Sequence, residues 1–194
     1  MTGRLGILQS PACSELVDVL RQAREHGRAV LVAGNGGSAA TAQHLAADWG
    51  RRAGVRAFDL CGCVPLLTAI GNDDGFERTF AEPIERLARP QDIVVLITTS
   101  GESPNLLAAA RSCRTVRGFL VALTGRKDSS LAELADLTIC VGSDVPEVAE
   151  DVHLSVGHAV VRQLLADRER GQVAATARPV EPSRLPVTTA PNPL

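Results

Sequence analysis

The chain has 194 residues, a formal net charge of -2 and a pI near 6.1, with 45% hydrophobic residues. This length suits one well-buried domain. The small net charge, the scattered arginines and the lack of aromatic side chains, with no tyrosine and one tryptophan, argue against a nucleic-acid partner. The apolar runs are too short to span a bilayer and the N-terminus lacks a signal-peptide core, so we expect a cytoplasmic protein with no membrane partner.

The cysteines are odd in number and lack the paired spacing of metal ligands; they are Cys13, Cys61, Cys63, Cys113 and Cys140. This pattern predicts free thiols in a reducing compartment. Cys61 and Cys63 are separated by one glycine, which is compatible with a redox or metal feature. The small residues favour a packing role instead.

The first predicted helix spans residues 12–26, where apolar side chains recur at helical spacing, and Gly27 closes it. A buried strand is predicted at residues 28–33, and it ends in the glycine-rich segment GNGG at 34–37. Ser38 is the predicted N-cap of the next helix, whose free N–H groups would point at the glycine loop and form an anion site. The alternative is a plain turn between strand and helix, capped by serine.

The same helix carries His44 and Asp48, four residues apart and therefore on one face. This spacing suits a shared metal ion or a proton relay. A solvated surface pair is the alternative. Farther along, residues 55–60 are a predicted strand, residues 65–70 are apolar and end in a turn over 71–75, and residues 76–87 form a helix.

The clearest strand pattern is DIVVLI at residues 92–97, which runs into a hydroxyl-rich loop at 98–103. Pro104 stands where the first residue of the next helix is expected. Hydroxyls and backbone N–H groups converge in such a loop, which again is the chemistry of phosphate recognition. A capping device is the alternative.

The last part of the chain has strands at residues 118–123 and 137–141, a short helix between them at 129–135, and a long helix at 146–168. Apolar strands that alternate with helices predict an α/β three-layer sandwich with a parallel sheet, whose ligands bind at the carboxyl ends of the strands.

The C-terminal region changes in composition. Residues 171–194 hold five of the eleven prolines and show no apolar periodicity. They predict a disordered tail behind a single domain of residues 1–170.

Five short motifs occur in order along the chain. They are GNGGSAATAQH at 34–44, AIGNDDGF at 69–76, TTSGESPN at 98–105, ALTG at 122–125 and EDVHLSVGH at 150–158. With these motifs the chain resembles the sugar isomerase (SIS) family over residues 12–168, and within it the phosphoheptose isomerases.

The resemblance implies a flavodoxin-like fold and a homotetramer with active sites between subunits. It implies an isomerase that converts sedoheptulose 7-phosphate into D-glycero-D-manno-heptose 7-phosphate through an enediol(ate). By the family's roles, Asp48 would be the base and His158 the acid. A divalent metal, expected to be zinc, would be held by His44, Asp48, Glu150 and His158. The residues implied to bind the sugar phosphate are Asn35, Gly36, Gly37, Ser38, Arg52, Asp73, Thr98, Thr99, Ser100, Ser103 and Glu150.

Two positions depart from the family pattern, which has Glu in place of Asp48 and Gln in place of Glu150. Both departures keep an oxygen ligand, which suits a divalent ion beside two imidazoles. Asp48 is one methylene shorter than glutamate, so Glu150 could share the role of the base. Asp151 is a rival to Glu150, because it lies seven residues before His158 and is more nearly in line with it on a helix.

A second hypothesis is a non-catalytic SIS protein similar to the DnaA initiator-associating protein. The acid–base groups separate the two hypotheses, because His44, Asp48, Glu150 and His158 are all capable of chemistry. The sequence therefore favours the enzyme.

Overall fold

The structure is a computed structural model that describes the backbone of residues 6–176 and the side chains of residues 6–170. Within this range, five parallel strands form one sheet in the order β2-β1-β3-β4-β5. The strands are β1 (Ala29–Gly34), β2 (Arg56–Asp59), β3 (Ile93–Thr98), β4 (Phe119–Thr124) and β5 (Leu137–Cys140). Every residue of β1 and β3 is buried, as expected of central strands covered on both faces.

A 3₁₀ turn at Gly6–Gln9 precedes seven α-helices in the described part of the chain. They are α1 (Pro11–Glu25), α2 (Gly37–Arg51), α3 (Val64–Asp73), α4 (Arg78–Leu87), α5 (Pro104–Thr115), α6 (Ser130–Leu134) and α7 (Pro146–Thr176). Helices α1, α2 and α7 pack together, while α3, α4, α5 and α6 form the other layer. Because crossovers between parallel strands are right-handed, the strand order places these layers on opposite faces of the sheet, which confirms the three-layer sandwich.

The strand order reverses between β1 and β3, which are direct neighbours with Gly34 opposite Ile97. This is the flavodoxin-like order, and ligands of such sheets bind at the reversal, beyond the carboxyl ends of the strands. The glycine loop follows β1 and the hydroxyl loop follows β3. The fold therefore brings the two predicted loops together.

The start of α2 differs from the sequence prediction. Gly36, with a φ of 56°, is the N-cap, and Ser38 lies inside the helix with its side chain buried. The turn is tight, because a methyl group on Gly34 would collide with the backbone of Ser38. The prediction that Ser38 caps the helix was wrong because the glycines complete the turn before the serine is reached.

The segment predicted as a turn at residues 71–75 is also mostly helical. Helix α3 continues to Asp73, and Gly75, with a φ of 91°, takes the left-handed conformation. Pro65 lies in the first turn of α3, where its missing N–H costs nothing and its fixed φ favours the helix. The apolar run that precedes Gly71 therefore propagates as a helix.

Helix α7 is longer than predicted and runs through Thr176, so the first six residues of the predicted tail continue this helix. The rest of that tail, residues 177–194, lies outside the described residues. None of the described helices has the length and hydropathy needed to cross a membrane. All five cysteines are free thiols, as predicted.

Candidate active site

A pocket of about 380 Å³ lies at the reversal point of the sheet. It is lined by Asn35, Ser38, Ile97, Thr98, Thr99, Ser100, Ser103, Arg126, Asp144, Pro146 and Glu150. Seven of these residues belong to the predicted substrate-binding set, and Gly37 touches the pocket through its contact with Glu150. Both predicted loops thus contribute to one cavity.

Two hydroxyls of the loop at residues 98–103 accept hydrogen bonds from backbone N–H groups of the same loop. The Thr98 hydroxyl accepts a hydrogen bond of 3.2 Å from the Gly101 N–H, and the Ser100 hydroxyl accepts one of 3.2 Å from the Glu102 N–H. Ser103 is the N-cap of α5, with Pro104 behind it, yet its side chain makes no capping hydrogen bond. The Ser103 hydroxyl therefore remains available to a ligand beside the free N–H groups of α5, where an anion is favoured.

Asn35 of the pocket lining forms an amide pair with Asn105, and the sequence did not reveal this pairing. Asn35 and Asn105 exchange two hydrogen bonds of 2.9 Å, and Asn105 also donates one of 3.2 Å to the Thr79 hydroxyl. Asn105 is fully buried. This pairing ties the glycine loop to α5 and so fixes the distance between the two helix N-termini.

Sequence analysis also missed Arg126 and Asp144. Among the described residues that line the pocket, Arg126 is the only cation, and it lies near enough to Glu102 to help lower the pKa of that carboxyl, after the Ser130 hydrogen bonds. Arg126 directly follows the ALTG motif at the end of β4. The position of Arg126 at the carboxyl edge of the sheet was the feature of the sequence that could have predicted its place in the pocket.

A second group of side chains lies on the facing surfaces of α2 and α7. His44 and His158 approach each other with 2.9 Å between their Nε2 atoms, and the His44 Nε2 lies 3.8 Å from the Asp48 carboxylate. One ligand atom from each of the three residues falls within 4.8 Å of the others. The structure therefore joins three of the four predicted metal ligands.

This group fits a divalent ion. Zinc holds imidazole and carboxylate ligands at about 2.0–2.2 Å, so that neighbouring ligand atoms in a tetrahedron lie roughly 3.3 Å apart. The observed separations of 2.9 and 3.8 Å lie on either side of that value. Two imidazoles and one carboxylate form a donor set typical of catalytic zinc, which keeps one position open.

Glu150, the fourth predicted ligand, does not belong to this group. Its carboxylate lies against Gly37, the first residue of α2, where a methyl group would clash with the carboxylate oxygens. Glu150 lines the pocket at the reversal of the sheet, whereas its rival Asp151 is exposed and does not. The structure thus separates Glu150 from the histidines by placing it at the other end of the α2–α7 contact.

Two further predicted residues lie outside the pocket. The Arg52 guanidinium donates a hydrogen bond of 3.1 Å to the Asp48 carboxylate. Asp73 lies at the end of α3, where it accepts a hydrogen bond of 2.7 Å from Asn72. Arg52 therefore lies beside the group of His44, Asp48 and His158, and Asp73 joins neither site within this chain.

A larger cleft of about 710 Å³ lies elsewhere, between α1 and α7. It lacks the hydroxyl loop and the glycine loop, and none of the residues that line it belongs to the predicted site. The reversal point of the sheet remains the candidate site because both loops and two helix N-termini converge there.

The comparisons with known proteins agree with this geometry. The family model described as SIS domain matches residues 7–125. A phosphoheptose isomerase of Geotalea daltonii is 42% identical over 173 residues, which cover 84% of this chain and 87% of the relative.

Two solved structures are similar over most of the chain. A phosphoheptose isomerase from Francisella tularensis has a TM-score of 0.76 at 31% identity and covers 81% of this chain and 85% of its own. One from Neisseria gonorrhoeae has a TM-score of 0.77 at 29% identity and covers 84% of this chain and 93% of its own. Together with the five motifs and the two converging loops, these similarities show that the chain belongs to the SIS domain family and, within it, to the phosphoheptose isomerases.

Proposed function

We propose that the chain isomerises sedoheptulose 7-phosphate to D-glycero-D-manno-heptose 7-phosphate. The observation that carries the proposal is that the pocket at the sheet reversal and the group of His44, Asp48 and His158 lie along the same helix. Ser38 lines the pocket, and His44 lies six residues farther along α2, which is about 9 Å. An extended seven-carbon sugar phosphate is long enough to bridge this separation, with its phosphate in the pocket and its carbonyl end at the histidines.

The reaction moves one proton between the two carbons at the carbonyl end. Asp48 acts as the base that removes the proton beside the carbonyl, and His158 acts as the acid that protonates the carbonyl oxygen, which gives the enediol(ate). Asp48 then returns its proton to the neighbouring carbon, and His158 takes the proton of the other enediol hydroxyl, which yields the aldose. Arg52 holds the Asp48 carboxylate toward the histidines through its 3.1 Å hydrogen bond.

His44, Asp48 and His158 would hold the metal, and we propose zinc because the donors are nitrogen and oxygen. A bound divalent ion supplies electrostatic stabilisation for the negative oxygen of the enediolate. Glu150 is left out of this ligand set because its carboxylate lies against Gly37.

We further propose a cytoplasmic homotetramer. Several large apolar side chains are exposed on the part of the surface formed by β2, α3 and the segment before α4, namely Phe58, Val64, Leu66 and Phe76. We propose that a neighbouring subunit covers these side chains, because large exposed apolar surface marks protein interaction sites. A neighbouring subunit that covers this surface would also bring Asp73 close to a site shared by two subunits. Light scattering measures the assembly directly.

The test is incubation of the purified chain with sedoheptulose 7-phosphate in deuterated buffer, followed by NMR. The expected product is the heptose 7-phosphate with solvent deuterium at the exchanged carbon. Asp48→Asn, Glu150→Gln and Asp151→Asn are compared side by side. Loss of exchange in Asp48→Asn alone supports Asp48 as the base, whereas loss only in another variant assigns the base there.

The non-catalytic alternative is not favoured. The similar proteins are named isomerases, and a purely binding protein has no need of two imidazoles beside a carboxylate. Binding of the sugar phosphate without any turnover or deuterium exchange, with metal supplied, would reverse this judgement.

A further inference from the structure

We infer that Glu102 is a positioning residue, which keeps the hydroxyl loop (residues 98–103) in its ligand-binding shape by fastening it to the start of α6. The inference rests on the proposed function, because it takes the pocket at the reversal of the sheet to be the phosphate site. Glu102 does not itself line that pocket, so its effect passes through the residues that do.

The orientation of two pocket hydroxyls depends on the backbone of Gly101 and Glu102. The Gly101 N–H donates to the Thr98 hydroxyl, and the Glu102 N–H donates to the Ser100 hydroxyl, each over 3.2 Å. A hydroxyl that accepts such a bond keeps its own proton free to donate to an anionic oxygen. Because Thr98 and Ser100 both line the pocket, the positions of residues 101 and 102 decide how these hydroxyls meet a phosphate.

Three hydrogen bonds attach these two residues to α6. The Leu131 N–H donates to the Gly101 carbonyl over 3.1 Å. The Ser130 N–H donates to one carboxylate oxygen of Glu102 over 2.8 Å, and the Ser130 hydroxyl donates to the other over 2.7 Å. Hydrogen bonds to a charged carboxylate are roughly twice as strong as those between neutral groups, so Glu102 supplies most of the attachment.

Helix α6 is a firm support for this attachment. Leu131 is fully buried in the hydrophobic core, which fixes the first turn of the helix. Gly101, with a φ of 73°, is pressed against Ser129, since a methyl group on Gly101 would clash with the Ser129 side chain. This contact stops the loop from moving closer to α6, while the bonds from Glu102 to Ser130 stop it from moving away.

Glu102 stands between the two serines of the loop that line the pocket, Ser100 and Ser103. Its hydrogen bonds to Ser130, and to a smaller extent the nearby Arg126, hold the pKa of Glu102 below its usual value, so the attachment is fully charged at neutral pH. Release of Glu102 from α6 would let both serines move. A ligand would then have to order the loop itself, which lowers affinity.

The first test replaces the carboxylate. Calorimetry with sorbitol 6-phosphate, a sugar phosphate that has no carbonyl group to isomerise, measures the affinity of the pocket. Glu102→Ala removes both bonds to Ser130 and is expected to weaken binding roughly tenfold. With sedoheptulose 7-phosphate, KM should rise by a similar factor while kcat changes by less than about twofold, because the groups at the carbonyl end are untouched.

Two variants control for other effects of the substitution. Glu102→Gln keeps an oxygen that accepts from the Ser130 N–H and an amide that donates to the Ser130 hydroxyl, so affinity should stay within about threefold of the parent. Glu133→Ala is the matched control, because Glu133 is an exposed carboxylate in the first turn of α6 that lies outside the pocket lining. It should keep the parent's affinity.

A double variant tests whether Glu102 acts through α6. Ser130→Ala removes only the hydroxyl bond and is expected to weaken binding about threefold in the parent. In the Glu102→Ala background it should have no further effect, because the bond is already lost. Ser130 is exposed, so this variant also tests the attachment if Glu102→Ala folds poorly.

The outcomes are distinct. Parent affinity in Glu102→Ala, an equal loss in Glu133→Ala, or additive losses in the double variant overturns the role of Glu102 and leaves the proposed function intact. A loss in Glu102→Gln as large as that in Glu102→Ala, or a fall in kcat at unchanged KM, overturns it as well. Failure of the folded parent chain to bind sorbitol 6-phosphate overturns the phosphate pocket itself, and the inference with it.

Discussion

Gly157 of α7 packs directly against Leu45 of α2, with no room for a methyl group between them. Leu45 is fully buried, so it has no solvent into which it could move. The next residue on α7 is His158 and the residue before Leu45 is His44, so this contact sets the spacing at which the two imidazoles meet.

A methyl group at position 157 should therefore disturb the group formed by His44, Asp48 and His158. We expect Gly157→Ala to force α2 and α7 apart and to lower zinc affinity at least tenfold, at a cost of about 1–3 kcal/mol in folding free energy from overpacking. Zinc affinity is measured by competition with a chromogenic chelator, and stability by denaturant unfolding.

Two variants separate this effect from a general loss of stability. Leu45→Ala combined with Gly157→Ala makes room for the new methyl group and should restore much of the zinc affinity. Gly50→Ala on α2 is the control, since its methyl group would meet neighbouring atoms at an ordinary 3.7 Å. Unchanged zinc affinity in Gly157→Ala would contradict the prediction.

The histidines themselves give a second prediction. His44→Ala or His158→Ala should lower zinc affinity by more than about a hundredfold, because each removes a donor to the ion directly, whereas changes in outer partners already cost 10–100-fold. His26, at the far end of α1, accepts the same substitution as a control. Elemental analysis of the purified variants measures their zinc content. Equal zinc content in all of them would mean that His44 and His158 do not hold the metal.

The Ser103 hydroxyl supplies a third prediction. Because its side chain makes no capping hydrogen bond, Ser103→Ala should leave the unfolding free energy nearly unchanged. Affinity for a sugar phosphate should fall roughly tenfold, the value of about 1.4 kcal/mol for one charge-assisted hydrogen bond. Calorimetry with sorbitol 6-phosphate measures the affinity.

Ser129 is the opposite case and serves as the control for Ser103. Its side chain accepts a hydrogen bond of 3.4 Å from the Ala132 N–H and caps α6, and it does not line the pocket. Ser129→Ala should thus cost about 0.5–2 kcal/mol in stability and leave affinity unchanged. If Ser103→Ala behaves in the same way, Ser103 is a helix cap and not a ligand-binding residue.

Local patterns in the sequence were sufficient for the fold. The apolar runs of β1 and β3 are long, buried on both faces and bounded by turn residues, so the parallel sheet and the two converging loops followed from them. The exact start of α2 did not follow, because four residues that tolerate a left-handed backbone stand in a row before Ser38 and any of them could end the turn.

The site was predicted less completely than the fold, because some of its residues are far apart in sequence. Hydroxyls and glycines that are close in sequence were found, whereas the Asn35–Asn105 pair joins residues 70 positions apart and has no local signal. Glu150 also shows that separation along one helix does not reveal contacts with another helix. The resemblance implied a metal shared by Glu150 and His158, but only the packing of α7 along α2 shows that Glu150 meets Gly37 while His158 meets His44.

A buried histidine outside both sites leads to the last prediction. His153 of α7 is fully buried, and neither ring nitrogen has a hydrogen-bond partner among the described residues. Burial lowers the pKa of His153 to about 4, and the nearby Thr124 backbone offsets only part of this effect. The ring is therefore neutral in the folded chain at neutral pH.

In the unfolded chain the pKa of a histidine returns to about 6.5, so between pH 6.5 and 4 the unfolded state binds a proton that the folded state does not. Stability from this group is full above pH 6.5 and should fall by about 3 kcal/mol as the pH drops to 4. Glu85, whose pKa is lowered to about 2 mainly by its bond to Arg78, loses its contribution only below about pH 4.5, so the two windows overlap only between pH 4.5 and 4. Urea unfolding across this pH range should show a flatter profile between pH 6.5 and 4.5 in His153→Gln, and an unaltered one in His26→Gln, which removes an exposed histidine instead. A parent profile already flat over that interval would mean that His153 takes up its proton inside the folded chain.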